Sequence, residues 1–172
     1  MTVQPKTPVV TGDPTKVYPL ADVYLLELSG TPPRDTTVEL ARGVRRVVVM
    51  REGDPDNLTF ADVSFPATAL AGAADDSVSV RLHPRPGVYG LDITTAAPLD
   101  SVRITFKYAV HFDAPAAALR QFGNAFAFER VLAIGRLLPD GRIVFLPSTR
   151  PASDNLSAMV PGTGSYVVGA PK

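Results

Sequence analysis

The chain has 172 residues, of which 45% are hydrophobic and 20% are charged, so it can bury a substantial core and is expected to form one domain. Its 17 basic and 17 acidic residues give zero net charge, which argues against nucleic acid as a partner. Cysteine is absent, and this excludes disulfides, thiolate metal sites and a cysteine nucleophile.

The first 16 residues contain three prolines and show no periodicity, so we predict an extended N-terminal arm over residues 1–16. Fully extended, such an arm could span roughly 50 Å. We predict that residues 17–149 form the folded domain, with a first strand from about Ala21 to Leu28. Residues 150–172 are predicted to be an extended C-terminal tail, which could end in an edge strand at SYVV.

Several segments have the composition or alternation of short strands. TTVELAR, VRRVVVMRE and LTFADVSF are strand candidates, and SVSVRLH, VYGLDI and SVRITFKYAVHF alternate between apolar and polar residues. In the last of these, one face carries Val102, Ile104, Phe106, Tyr108, Val110 and Phe112. Pairing Val80 with Leu91 and Ile93 with Val102 puts the apolar side chains on one side and sets Asp92 opposite Arg103. This pattern predicts a three-stranded antiparallel meander.

One helix and one hairpin follow. DAPAAALRQFG predicts a short helix, with Asp113 as its cap, Pro115 in its first turn and Gly123 in the left-handed position after its end. RVLAIGRLLPDGRIVFLP predicts a hairpin whose turn is formed by residues 138–141, because proline, aspartate and glycine suit successive turn positions.

Many short strands separated by turns, with one short helix, predict an all-β, antiparallel β-sandwich of immunoglobulin-like type. The run PGVYGLDITTAAPLDSVRITFKY resembles the later strands of bacterial immunoglobulin-like domains. The resemblance covers about a fifth of the chain and implies architecture alone, since that fold carries many unrelated functions.

Residues that could carry catalysis are sparse. His83 and His111 are expected about 10 Å apart on the surface, too far to share a metal without a bend. Acidic residues cluster at Glu52, Asp54 and Asp56 with Asn57, and again at Asp75–Asp76. We interpret both clusters as solvated turns; a calcium loop is the alternative. We find no catalytic string motif, and therefore predict a protein that is not an enzyme and holds no cofactor or metal.

Four runs, YLLEL, VVVM, RVLAI and RIVFL, are apolar at nearly every position, a pattern typical of strands covered on both faces. The cover could come from the short helix, from the terminal arms folded back, or from another protein. A short helix is too small to shield four strands, which leaves room for a partner beside the terminal arms.

We therefore predict a non-catalytic structural or accessory subunit that docks on a larger protein assembly through apolar strand faces and extended termini. The predicted protein-interaction residues are Val3, Val9, Val10, Tyr18, Tyr166, Val167 and Val168. The alternative is a ligand-binding sandwich module for carbohydrate or a small hydrophobic molecule.

The predicted partners are other protein subunits, with peripheral attachment to a membrane complex as one setting. No apolar run is long enough to span a bilayer, and MTVQPKTPVV lacks the apolar segment of a signal peptide. If Met1 is the native start, we expect a cytoplasmic location or the cytoplasmic face of a membrane complex. If a signal peptide was removed, we expect the periplasm or envelope. The composition suggests a bacterial source.

Overall fold

The computed structural model describes residues 8–108 and 112–172. Within these ranges the chain forms sixteen strands, two short helices and a 3-10 turn at Leu20–Asp22. The strands are β1 (Val10–Thr11), β2 (Val17–Pro19), β3 (Val23–Leu25), β4 (Glu27–Leu28), β5 (Thr36–Ala41), β6 (Arg46–Arg51), β7 (Thr59–Phe65), β8 (Ser77–Pro84), β9 (Gly90–Thr94), β10 (Val102–Lys107), β11 (Phe112–Asp113), β12 (Ala133–Leu137), β13 (Arg142–Phe145), β14 (Ser148–Thr149), β15 (Asn155–Val160) and β16 (Gly164–Pro171). The helices are α1 (Ala116–Phe122) and α2 (Ala125–Glu129).

Two antiparallel sheets pack face to face. Sheet 1 has the strand order β1-β14-β15-β10-β7-β6, and sheet 2 has the order β2-β13-β12-β16-β9-β8-β5 with β3 added beside β16. Strands β4 and β11 form a separate pair. The predicted all-β antiparallel sandwich is confirmed.

One hydrophobic cluster fills the space between the two sheets. The alternating residues of β10 point into it: Val102, Ile104, Phe106 and Tyr108 are fully buried, as their period of two predicts. Phe60 of β7 stacks on Tyr89 at a ring-centroid distance of 5.4 Å. The two sheets are thus joined by side chains from both inner faces, as in other sandwiches.

The predicted meander is wrong in its second half. β8 and β9 do pair, but Leu82 lies opposite Ile93, so the register differs from the predicted one by an even number of residues and keeps the same faces. On its other side β9 pairs with β16, also in sheet 2. β10 instead lies in sheet 1, between β7 and β15. The predicted contact of Asp92 with Arg103 is consequently replaced, and Asp92 pairs with Arg85 at 2.9 Å.

The predicted hairpin is confirmed by the pairing of β12 with β13. Gly135 lies opposite Phe145, and the turn is closed by the Gly141 amide, which donates to the Leu138 carbonyl at 3.0 Å. Gly141 has a φ of 84°, the left-handed value that the turn requires.

The predicted helix is present as α1, and Gly123 ends it with a φ of 91°. The predicted cap is wrong, because Asp113 belongs to β11 and Pro115 occupies the N-cap position without a side-chain bond. Helix α2 was not predicted. It begins after Asn124, whose side chain accepts a hydrogen bond from the Ala127 amide at 2.8 Å.

Both terminal segments differ from their predicted extended form. In the N-terminal arm, Val10–Thr11 forms β1 and pairs with β14 of sheet 1, and β2, which directly follows the arm, pairs with β13 of sheet 2. In the C-terminal segment, β15 lies inside sheet 1 and β16 lies inside sheet 2. The predicted edge position of the SYVV strand is wrong, since β16 has neighbours on both sides.

The outer face of sheet 2 is covered by the chain itself. A second hydrophobic cluster lies there, built on Val23, Ala133, Ile143, Phe145 and Val167. Its large side chains lie over glycines of neighbouring strands. A Cβ atom built on Gly135 would come within 2.4 Å of Ile143 Cδ1, and one on Gly169 would come within 3.3 Å of the Leu25 side chain. The second face of the runs RIVFL, RVLAI and YLLEL is therefore covered mostly by other residues of this chain.

We expect Gly135→Ala to lower the free energy of unfolding by about 1–3 kcal/mol, because the added methyl group overpacks the site beneath Ile143. Chemical denaturation measures this change. The matched control is Gly72→Ala, at a position where an added Cβ has no heavy atom within 4 Å, and it should change stability by less than about 0.5 kcal/mol. Ile143→Val removes the clashing Cδ1 atom. This substitution should therefore lower the free energy of unfolding less in the Gly135→Ala variant than in the unmodified protein. Equal costs would contradict the packing described.

Candidate functional site

The predicted interaction residues near the N-terminus fall into two groups. Val3 lies outside the described residues. Val9 and Val10 are exposed, with 77% and 56% of their surface accessible, and they flank the short strand β1. These two valines remain available for contact.

The other four predicted interaction residues lie in sheet 2. Tyr18 is half-buried, and its ring packs edge-on against Phe145 at 5.9 Å. Tyr166, Val167 and Val168 are fully buried in β16, and the Tyr166 hydroxyl donates to the Gly162 carbonyl at 2.7 Å. Burial raises the pKa of Tyr166 to about 12. A partner cannot reach these three side chains without opening the sheet, so they are not a docking surface.

Several large apolar side chains remain exposed, among them Phe126 on α2 and Val17 on β2, and three of them lie on or just before β6, an edge strand of sheet 1. In the run VVVM, Val48 and Met50 point into the core, whereas Val47 and Val49 are 48% and 50% exposed on the outer face. Val44, in the turn before the strand, is 58% exposed. The VVVM run predicts a strand with two apolar faces, but the sequence does not show that this strand lies at the edge of a sheet. We call Val44, Val47 and Val49, with the unpaired backbone of β6, the β6 edge.

Three arginines flank these valines. Arg45, Arg46 and Arg51 are all exposed, and among the described residues no carboxylate lies within the 4.0 Å of an ion pair with any of them. Arg46 Nη1 donates to the Glu39 carbonyl and Arg51 Nη1 to the Asn57 carbonyl, both at 3.4 Å. These bonds direct the side chains but leave their charges uncompensated.

A cleft of about 270 Å³ opens beside the end of β6, between the edge strands of the two sheets. Pro33, Arg34 and Thr36 line it on the side of β5. The opposite wall is formed by residues 49–54 and Asn57. The Gly53 amide donates to the Thr31 carbonyl at 3.0 Å, and this bond ties the two walls together at the floor. The cleft is polar and is large enough for a side chain.

Asp35 holds two basic groups on the outside of sheet 2. It pairs with the Arg81 guanidinium and with His83, whose Nδ1 lies 2.5 Å from Asp35 Oδ1. The hydrogen bonds from Arg81 and then from His83 lower the pKa of the Asp35 carboxyl below its ordinary value. The predicted surface position of His83 is therefore found with a specific partner. His111 lies outside the described residues.

The two acidic clusters are organised as turns. Asn57 Nδ2 donates to Asp54 Oδ1 at 3.1 Å, while Glu52 is only 3% exposed and lies in the same wall of the cleft beside β6. Asp76 pairs with Arg42 at 2.9 Å. Over residues 8–108 and 112–172, no group of three or more histidine or carboxylate side chains is arranged to hold a metal ion.

A second cleft, of about 190 Å³, lies where the N-terminal strand meets α2. It is lined by Val9, Thr11, Arg130 and Arg150. Arg150 Nη1 donates to the Ser153 carbonyl at 3.1 Å, but its Nε and Nη2 atoms are buried without a hydrogen-bond partner. Its guanidinium lies 5.9 Å from the ring centre of Tyr108, whose hydroxyl also lacks a partner. The cleft thus has positive charge and unsatisfied donors along one wall.

We expect the Asp35 carboxyl to titrate below the ordinary aspartate range in a ¹³C NMR pH titration, and Arg81→Gln to move its pKa upward more than His83→Gln does. A lowered pKa means that the pairing stabilises the folded chain at neutral pH and that this contribution is lost as the pH falls through the folded-state pKa. Asp140 is the internal control, because its pKa is lowered by hydrogen bonds from Arg142 and should not respond to either variant. A normal pKa for Asp35 in the parent would contradict the described geometry.

No helix among the described residues is long and apolar enough to cross a membrane. Comparison of the chain with protein-family models, with curated proteins and with solved structures found no match. On the described surface, the β6 edge combines exposed apolar side chains, an unpaired backbone and arginines without an ion-pair partner.

Proposed function

We propose that the protein is a non-catalytic structural or accessory subunit that docks on a partner protein through the β6 edge. The observation that carries the proposal is the exposure of Val47 and Val49 on a strand that pairs on one side only. Single exposed valines are common on monomers, but edge strands are usually guarded against further pairing. On the edge strand β6, two successive outward-facing positions, Val47 and Val49, are both valine.

The energetics fit one contact within a larger interface. Covering each half-exposed valine would contribute about 1 kcal/mol, roughly half the value for burying a whole valine side chain. Each backbone hydrogen bond added along the edge would contribute about 0.5–1.5 kcal/mol. A total of a few kcal/mol suits a subunit that also has other contacts, and exposed Val9 and Val10 beside β1 are candidates for one of these.

The proposed role keeps the function expected from the sequence but changes its surface. In the described part of the N-terminal arm Val10–Thr11 pairs with β14, and β15 and β16 of the C-terminal segment lie inside the two sheets, so the proposal moves the main contact away from the termini. The face of VVVM that the molecule leaves uncovered takes their place.

Binding of a small ligand is a second candidate function, and the cleft lined by Arg130 and Arg150 favours it. Its arginines suit an acidic sugar better than a neutral or hydrophobic molecule, because buried unsatisfied guanidinium donors gain most from an anionic acceptor. Titration with glucuronate, followed by amide NMR, should then shift the signals of Thr11 and Arg130, while glucose should not. Equal responses to both sugars, or none, would remove this candidate.

For the docking role, we expect the chain isolated from its own source to be found by native mass spectrometry in a complex of constant stoichiometry. The double variant Val47→Lys/Val49→Lys should release it from that complex, since lysine keeps the strand soluble and charges its outer face. The matched control is Val17→Lys, which alters a valine of similar exposure on the edge strand β2.

Thermal denaturation of the three proteins shows whether each variant remains folded. A stable monomer from the native source would contradict the proposed role. Retention of the complex by a folded Val47→Lys/Val49→Lys variant would contradict the proposed surface.

A further inference from the structure

We infer that the segment bound at the β6 edge is an extended stretch of a partner protein with alternating apolar residues and a carboxylate at each end, added to sheet 1 as an antiparallel strand. This inference rests on the proposed docking role. It specifies the chemistry of the partner, which that role leaves open.

The charges around the β6 edge select an acidic partner. Among the described residues, arginines 42, 81, 85 and 142 are each paired with an aspartate of this chain, whereas arginines 34, 103, 120, 130, 136 and 150 are not. Arg46 and Arg51, at the two ends of β6, have no such carboxylate among the described residues. Asp62, opposite Val49 on the neighbouring strand, is engaged by Lys107 at 3.0 Å. The two charged side chains of β6 itself are therefore both positive, while the carboxylates of Glu52, Asp54 and Asp56 lie in the turn that follows the strand.

The spacing of the exposed side chains selects an extended partner. Val47 and Val49 are two residues apart on one face of β6, so an added strand would place its own alternate residues beside them. Its other residues would point toward the cleft between β5 and β6, which is polar and has a volume of about 270 Å³. We therefore expect the partner strand to carry apolar residues on its outer face, beside Val47 and Val49, and small polar residues on the face toward the cleft.

Charge argues against a second copy of this chain as the occupant. An antiparallel β6–β6 pair centred on Val48 would set Val47 of each copy opposite Val49 of the other and Arg45 beside Arg51, and like charges across a strand pair destabilise it. An anionic lipid surface would also meet arginines and valines, but it would not use the unpaired backbone of the edge strand. Hydrogen bonding by the unpaired backbone of β6 would therefore distinguish a bound peptide from a membrane surface.

A capped peptide with the sequence Glu-Thr-Val-Thr-Val-Glu is the direct probe. Paired against β6, it sets its glutamates opposite Arg46 and Arg51 and its valines opposite Val47 and Val49. Binding to the full chain is followed by amide NMR shifts and by hydrogen exchange of β6. We expect shifts confined to β6 and its neighbours, slower exchange of β6 amides, and affinity that falls with added salt.

Three matched probes separate the contributions. Replacing both glutamates with lysine should weaken binding about tenfold or more, because two attractive pairs become repulsive. Replacing one threonine with proline should abolish binding, since proline removes a backbone donor. In the chain, Arg46→Gln/Arg51→Gln should remove the preference for glutamate over lysine, whereas Arg120→Gln, an exposed arginine on α1, should leave it unchanged.

The remaining outcomes overturn the inference in distinguishable ways. Equal binding of the glutamate and lysine peptides, or of the proline peptide, would exclude an acidic added strand. Dimerisation lost in Val47→Lys/Val49→Lys would make a second copy the occupant. Binding to phosphatidylcholine–phosphatidylserine vesicles, lost in the same variant, would make it a lipid surface. If no peptide binds but the native complex still depends on Val47 and Val49, the inference fails and the docking role stands.

Discussion

Close packing of large side chains over glycines on the outer face of sheet 2 is the constraint on which the rest of the molecule depends. Ile143 lies over Gly135, and the side chains of Val23 and Leu25 lie against Gly169. This arrangement covers the second face of β16, whose residues Tyr166–Ala170 are all buried. A central strand can be apolar on both faces only when both faces are covered, and here the cover comes from neighbouring strands of the same chain.

This cover lies over β12, β13 and β16 of sheet 2, whereas large apolar side chains remain exposed elsewhere, among them Val17 on β2 and Val47 and Val49 on β6. The chain passes between the sheets along both sides of the sandwich, from β1 to β2 on one side and from β5 to β6 on the other. On the first side, Gly12 approaches the Leu146 backbone so closely that a Cβ atom would not fit. On the second side, the strands diverge around the polar cleft, and Val47 and Val49 of β6 remain half exposed. The asymmetry between the two sides makes the β6 edge the stronger candidate for docking.

Local charge pairing supports the same distinction. Asp35 and Asp76 hold arginines 81 and 42 in contacts that organise the surface of this chain, whereas the arginines of β6 are left without carboxylates among the described residues. The charged side chains of β6 itself are therefore both arginines. Exposed valines, an unpaired backbone and these two arginines act together, since each would add to the binding of an extended acidic segment.

The sequence by itself determined the local features whose physical causes are local. The alternation of β10 placed Val102 to Tyr108 in the core, and the Pro-Asp-Gly turn specified the hairpin of β12 and β13. The sequence also identified VVVM as a strand with two apolar faces, and this pattern is the signal for the candidate site. The sequence could not show which apolar runs would have both faces covered, because the cover over RIVFL depends on glycines of other strands.

Only the tertiary structure decided the assignment of strands to sheets. β9 and β10 are neighbours in sequence but lie in different sheets, and β16, predicted as an edge strand, lies in the interior. The run containing Tyr166, Val167 and Val168 showed no alternation because both its faces are buried, so its importance could not be read from periodicity. Edge and interior are properties of the assembled sheet, set by long-range pairing that no short segment encodes.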